Sequence, residues 1–196
     1  MGRLQDKVSI VTGASSGIGR AIAVEFAKQD AIVVCADLAP EARAEVYGER
    51  AISTHDLICQ NGGRSIFVKT DVTRSQEIED LVSRTVAEFG QIDVLVNNAG
   101  ISVESRRQPL KIHETTQDDF DRTIDVNVRS IFLACKYVIA QMVKQEPSDA
   151  GDRGWIINMS SIFGLVGGYN NSMYRPRALT SALLTSQPVT LCRKVP

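Results

Sequence analysis

Apolar residues in this chain alternate between two kinds of pattern. Short, largely apolar runs near residues 7 to 12, 31 to 36, 65 to 69, 92 to 96 and 155 to 159 read as strands buried on both faces, because a strand with one wet face would alternate strictly. Between the runs, apolar residues recur at helical spacing. After the third run, Ile78, Leu81, Val82, Val86 and Phe89 form one face, Thr73 with Gln76 predicts a capping box, and Gly90 predicts the stop. Strands alternating with helices predict an α/β fold with a doubly wound parallel sheet.

One helix is expected to be longer, from about Asp118 to Lys144. Its apolar stripe, from Phe120, Ile124 and Val128 through Ile131, Phe132 and Cys135 to Val138, Ile139 and Met142, is wider than one sheet contact requires. A stripe of that width either packs wholly inside the monomer or also meets a partner chain, and the pattern fits both. Glu146 to Gly154 reads as a surface loop from its turn residues.

Between the first run and the first helical segment lies Val11-Thr12-Gly13-Ala14-Ser15-Ser16-Gly17-Ile18-Gly19-Arg20. Glycines here let backbone N–H groups approach a pyrophosphate, and the helix that follows points its positive end at the same spot. Past the second run comes Asp37, placed to accept from the hydroxyls of an adenine ribose. Strand, glycine turn, helix and acid in register predict a dinucleotide ligand. Glycines serving only close packing would leave that register unexplained.

With 196 residues, 43% of them hydrophobic, the chain is expected to form one domain with a real core. A net charge of −1 without a basic cluster argues against nucleic-acid or membrane partners. Met1 to Lys7 run straight into the first strand without a signal-peptide pattern, and no apolar stretch approaches the roughly eighteen residues of a membrane helix, so a cytoplasmic location is expected. Cys35, Cys59, Cys135 and Cys192 lack metal-site spacing and read as small hydrophobes where they fall in buried elements. His55 and His113 are isolated and read as surface or loop residues, so no metal site is expected.

The glycine spacing, together with Asp71-Val72, Asn97-Asn98-Ala99-Gly100, Asn127, and Ser160-Ser161 followed by Tyr174, resembles the classical short-chain dehydrogenase/reductase family over residues 4 to 174. The resemblance implies a Rossmann-like dinucleotide-binding domain over residues 1–174, acting on a small-molecule alcohol or carbonyl and forming a homo-oligomer through the 118–144 helix. It implies cofactor contacts at Gly13, Ser15, Gly17, Ile18, Gly19, Asp37, Asp71, Val72, Asn98, Ala99, Gly100, Arg129 and Tyr174. Hydride transfer to a carbonyl needs a proton donor and a hydrogen-bond donor at the developing alkoxide. By resemblance these are Tyr174 and Ser161, with Asn127 in a water-linked proton relay; Tyr169 has the wrong spacing. Asp37 puts a carboxylate where the 2′-phosphate of NADP would sit, so NAD is the expected cofactor. NADP is the alternative, should Arg20 or Arg43 reach that phosphate.

After Tyr174 the resemblance stops. The family carries a lysine four residues beyond its tyrosine, which acidifies the phenol and bonds the nicotinamide ribose; here position 178 is Ala178, and Pro176 interrupts the helix that would hold it. The last 22 residues hold Arg175, Arg177, Arg193 and Lys194 and no acid, whereas all 23 acidic residues precede them. Residues 175–196 are therefore expected to be an atypical, poorly ordered tail without the family's C-terminal strands and helices. A frameshift, a splicing difference or an error in the gene model accounts for such a tail. Two readings follow: an NAD(P)-dependent oxidoreductase with an incomplete catalytic centre, or a non-catalytic dinucleotide-binding relative that associates with full-length partners. A purely structural module leaves the phosphate cradle and the Ser161 to Tyr174 spacing unexplained.

Overall fold

Runs of β-branched residues dictate strands, and their burial on both faces dictates helices above and below them. A computed structural model describes residues 2–41, 52–103, 111–149, 151–161 and 192–195. Strands β1 (Val8–Thr12), β2 (Ile32–Asp37), β3 (Arg64–Lys69), β4 (Val94–Asn97) and β5 (Gly154–Asn158) pair in parallel in the order β3-β2-β1-β4-β5. Alternate residues of one strand serve opposite layers. Ile10, Val34, Leu95 and Ile156 join a core with α3 (Ser75–Phe89) and α5 (Ser130–Met142). Val11, Val33, Cys35 and Val96 join a second core under α1 (Gly17–Lys28) and α2 (Thr54–Gln60). No helix among the described residues is long and apolar enough to cross a membrane.

Four expectations need correction. Helix α3 starts at Ser75 without a Thr73–Gln76 capping box. The Thr73 hydroxyl and N–H turn back to Asp71, Gln76 bonds Asp80, and Glu77 reaches back to accept from the Asp71 N–H at 2.7 Å. Both Thr73 donors are thereby spent on the Asp71 carboxylate, a stronger acceptor than a neutral oxygen. The expected 118–144 helix is divided: α4 (Gln117–Ile124) passes through a π turn, Asp125–Arg129, into α5. Its stripe also divides, with Ile131, Cys135, Val138 and Met142 buried while Phe120, Phe132 and Ile139 face outward. His55 lies on α2, where its Nδ1 meets the Ser53 hydroxyl at 2.9 Å.

The fourth correction concerns the sheet edge. A poorly ordered tail over residues 175–196, without the family's C-terminal strands, would add no strand beside β5. Instead β6 (Cys192–Val195) pairs with it antiparallel, Ile157 opposite Cys192 and Gly154 opposite Val195. Antiparallel pairing needs no crossover helix, so four residues suffice. Residues 175–191 lie outside the described residues.

Strand order reverses between β1 and β4, and the crevice where open α/β sheets take ligands opens at their carboxyl ends. Thr12, the last residue of β1, closes the base of that crevice. Its hydroxyl donates to the Val96 carbonyl at 3.3 Å and accepts the N–H groups of Asn98 and Ala99, each at 3.0 Å. Thr12→Val keeps the shape and strands the Ala99 N–H, while the Asn98 N–H and the Val96 carbonyl keep their mutual bond of 3.1 Å. It is expected to cost on the order of 2 kcal/mol in urea unfolding, whereas Thr12→Ser, which keeps the hydroxyl, costs about 1 kcal/mol.

Candidate functional site

The turn from β1 to α1 is built around a separation that only glycine permits. Gly13 and Gly17 take left-handed φ of 66° and 56°. A Cβ on Gly13 would lie 2.9 Å from Ala99 Cα, and one on Gly19 would lie 2.1 Å from the Gly13 carbonyl oxygen and 2.4 Å from Asn98 Nδ2. Asn98 occupies the remaining space, its Nδ2 donating to the carbonyls of Thr12 at 2.9 Å and Gly13 at 3.3 Å. Ser16 starts α1 without capping it through its side chain, and no acid lies in the first turn. The positive end of α1 therefore opens on the crevice beside the glycine turn, a cradle that fits an anionic diphosphate.

Asp37, at the end of β2, comes against the same turn. Its Oδ2 accepts the Ser15 N–H at 3.0 Å and its Oδ1 the Leu38 N–H at 2.8 Å, while the Ser15 hydroxyl donates to the Ala39 carbonyl at 2.5 Å. The last residue of β2 is thus tied to Ser15 of the turn. Ile18 and Leu38 are 64% and 55% exposed, two apolar side chains in water beside the cradle.

Asp71 and Val72 follow β3. Burial by itself pushes the Asp71 carboxyl up, but the Thr73 hydroxyl and N–H and the Arg74 guanidinium outweigh it and hold the group below the ordinary carboxylate range. Asp71 is therefore ionised at neutral pH and shapes the start of α3, and Val72 is buried against the core beneath it.

Asn127 is fully buried in the π turn. Its Nδ2 donates to the Ile101 carbonyl and its Oδ1 accepts the Ile101 N–H, both at 2.8 Å, so the side chain pins the segment after Gly100 as a neighbouring strand would. Widening the helix at 125–129 carries this amide inward. Ser161 is half-buried, three residues past the carboxyl end of β5, and a bond of 2.8 Å from Asn97 to Asn158 joins β4 to that end of β5. Arg129 is committed to Asp125 at 2.8 Å on the helix surface. Tyr174, Tyr169, Arg43 and Ala178 lie outside the described residues.

Burial pushes the Cys35 and Cys135 thiols up to about 11, which keeps both protonated as small hydrophobes. Arg20, which reading the sequence offered to a phosphate, is buried and turned toward Ile52 and Thr54. Sequence reasoning missed Thr12 and Thr54 as parts of the site. A threonine closing an otherwise apolar strand was the signal for the first, because a buried hydroxyl must find partners; nothing local marked the second.

A short chain dehydrogenase family model matches residues 7–176. An uncharacterized oxidoreductase of Thermotoga maritima is 41% identical over 163 residues, 83% of this chain and 57% of the relative. A 3beta-hydroxysteroid dehydrogenase of Mediterraneibacter gnavus is 34% identical over 93% of this chain and 61% of its own length, and a cyclopentanol dehydrogenase of Comamonas sp. is 35% identical over 89% and 62%. The chain thus spans about six tenths of the length of these relatives. Among solved structures, a short chain dehydrogenase from Mycobacterium smegmatis superposes with a TM-score of 0.79 at 28% identity, covering 94% of this chain and 70% of that one. With the cradle, the acid after β2 and the strand order of a Rossmann-like sheet in place, and a family model spanning most of its length, this chain belongs to the short-chain dehydrogenase family.

Proposed function

We propose that this chain binds NAD(H) in the crevice between β1 and β4 and derives from an oxidoreductase of small alcohols and carbonyls. The observation that carries the reading is the Gly13–Gly19 turn, packed too closely for a Cβ at Gly13 or Gly19 and opening beside an uncapped helix end, with Asp37 hydrogen-bonded to it. Backbone N–H groups at the start of α1 would hold the diphosphate. Asp37 would accept from the ribose hydroxyls, and Asn98, Ala99 and Gly100 would wall the crevice. When bound, the cofactor supplies or takes the hydride. Ser161 would donate to the substrate oxygen, Tyr174 would move its proton, and Asn127, by holding Ile101, would keep the carbonyls after β4 in place for a water-linked relay. The names of the relatives, a 3beta-hydroxysteroid and a cyclopentanol dehydrogenase, support a ring alcohol as the substrate class.

A second reading is supported by the outward row Phe132, Ile139 and Val143, spaced for one helical face, together with Phe120. In that reading the chain pairs with a second copy or a longer relative through α4 and α5 and contributes dinucleotide binding without turnover. Ala178 in place of the family's lysine supports it.

Three measurements test these readings. Fluorescence titration is expected to show NADH binding at least about tenfold tighter than NADPH, because Asp37 and a 2′-phosphate at close range repel by on the order of a few kcal/mol. Equal or tighter NADPH binding defeats the Asp37 argument. Following the reduced nicotinamide by absorbance, we expect no turnover from this chain or from Ala178→Lys, and turnover when the residues after Tyr174 are replaced by a family C-terminal segment. Robust turnover by the chain as it stands would mean another group acidifies Tyr174. In sedimentation velocity the wild-type chain is expected to associate and Phe132→Asp to shift it toward monomer; an unchanged profile removes the α4–α5 interface.

A further inference from the structure

Arg20 follows the last glycine of the turn, yet the residue is only 7% exposed and its guanidinium faces inward to Ile52 and Thr54. Its Nη1 donates to the Ile52 carbonyl at 2.9 Å and to Thr54 Oγ1 at 3.0 Å, and the Thr54 hydroxyl donates onward to the Ala14 carbonyl at 2.7 Å. Thr54 and Ala14 are themselves buried. An unbroken chain of hydrogen bonds therefore runs from α1, through the first residue of α2, to the backbone of the glycine turn. A guanidinium is costly to bury even when its donors are met, and apolar side chains would seat α2 against α1 without that cost.

The geometry points to a different use for it. A peptide group is planar, with its C=O and N–H directed to opposite sides. The Ala14 carbonyl that Thr54 holds and the Ser15 N–H that Asp37 Oδ2 accepts at 3.0 Å belong to one such plane. Thr54 pulls on one side of the plane and Asp37 is seated on the other. We infer that Arg20 and Thr54 are positioning residues that orient the Ala14–Ser15 peptide and, through it, the Asp37 carboxylate, and so set discrimination between ribose hydroxyls and a ribose 2′-phosphate. This rests on the proposed reading of Asp37 as the ribose acceptor.

The test uses the full chain, with NADH and NADPH as probes. Thr54→Val removes the hydroxyl at constant shape. It is expected to weaken NADH about tenfold, the equivalent of one buried hydrogen bond, while changing NADPH less than about twofold, so the preference between them collapses. Thr54→Ser keeps the hydroxyl and is expected to retain the wild-type preference. Equal loss of both cofactors by Thr54→Val, or an unchanged ratio, overturns the proposal, since a merely structural residue would weaken both alike. Arg20→Lys, which cannot present the same fork to Ile52 and Thr54, is read the same way if Thr54→Val does not fold. A second measurement is independent of any cofactor: amide hydrogen exchange across Ser15 to Gly17 in the ligand-free chain is expected to speed up in Thr54→Val, with β3 and α3 unchanged. Exchange at the wild-type rate there overturns the strut by itself. Failure of the wild-type chain to bind either dinucleotide overturns the binding reading instead, and the exchange result still decides the strut.

Discussion

Close approach of the turns after β1 and β4 is the constraint on which the site depends. The Gly13 carbonyl, the Gly19 backbone and the Asn98 amide share a space from which one methyl group would have to displace backbone. Thr12 holds this contact shut by taking two N–H groups of the facing turn onto one hydroxyl. With the turns locked, α1 leaves β1 at an angle that directs its N-terminus at the crevice, and the end of β2 falls within hydrogen-bond reach of Ser15. The shape of the crevice here follows from backbone packing, so the proposed ligand would meet a site that needs no reorganisation.

Polar groups buried at the carboxyl edge do for the loops what apolar residues do for the strands. Thr54, Asn97, Asn127 and Asn158 are each buried, and each bonds a neighbouring segment. Loops have no ladder to fix them, so a satisfied amide or hydroxyl at each crossing supplies the missing direction. The π turn fits this logic. It departs from regular helix geometry over Asp125–Arg129, where Asn127 holds both polar groups of Ile101.

Strands, helices and the glycine turn were legible because their causes are local. An apolar run longer than a turn and bounded by glycine or polar residues has few conformations that bury it, and Gly90, with φ of 81°, stops α3 as its position predicted. What was misread lay where two local options had similar energies. Thr73 was free to cap a helix or to serve Asp71, and the carboxylate beside it decided. The 118–144 stripe looked like one uniform face because sequence periodicity averages over a five-residue change of pitch.

By itself, then, the sequence determined the alternation of elements, the glycine turn, the acid after β2 and the family, since each is written in contiguous residues whose backbone preferences and burial need no distant partner. Only the tertiary structure decided that Arg20 turns away from the crevice toward Thr54, that Thr12 ties β1 to β4, and that β6 closes the β5 edge antiparallel. These pairings join residues 34, 84 and roughly 40 positions apart. Their partners meet only after the sheet has formed, and a hydrogen bond leaves no periodic mark on the chain that makes it.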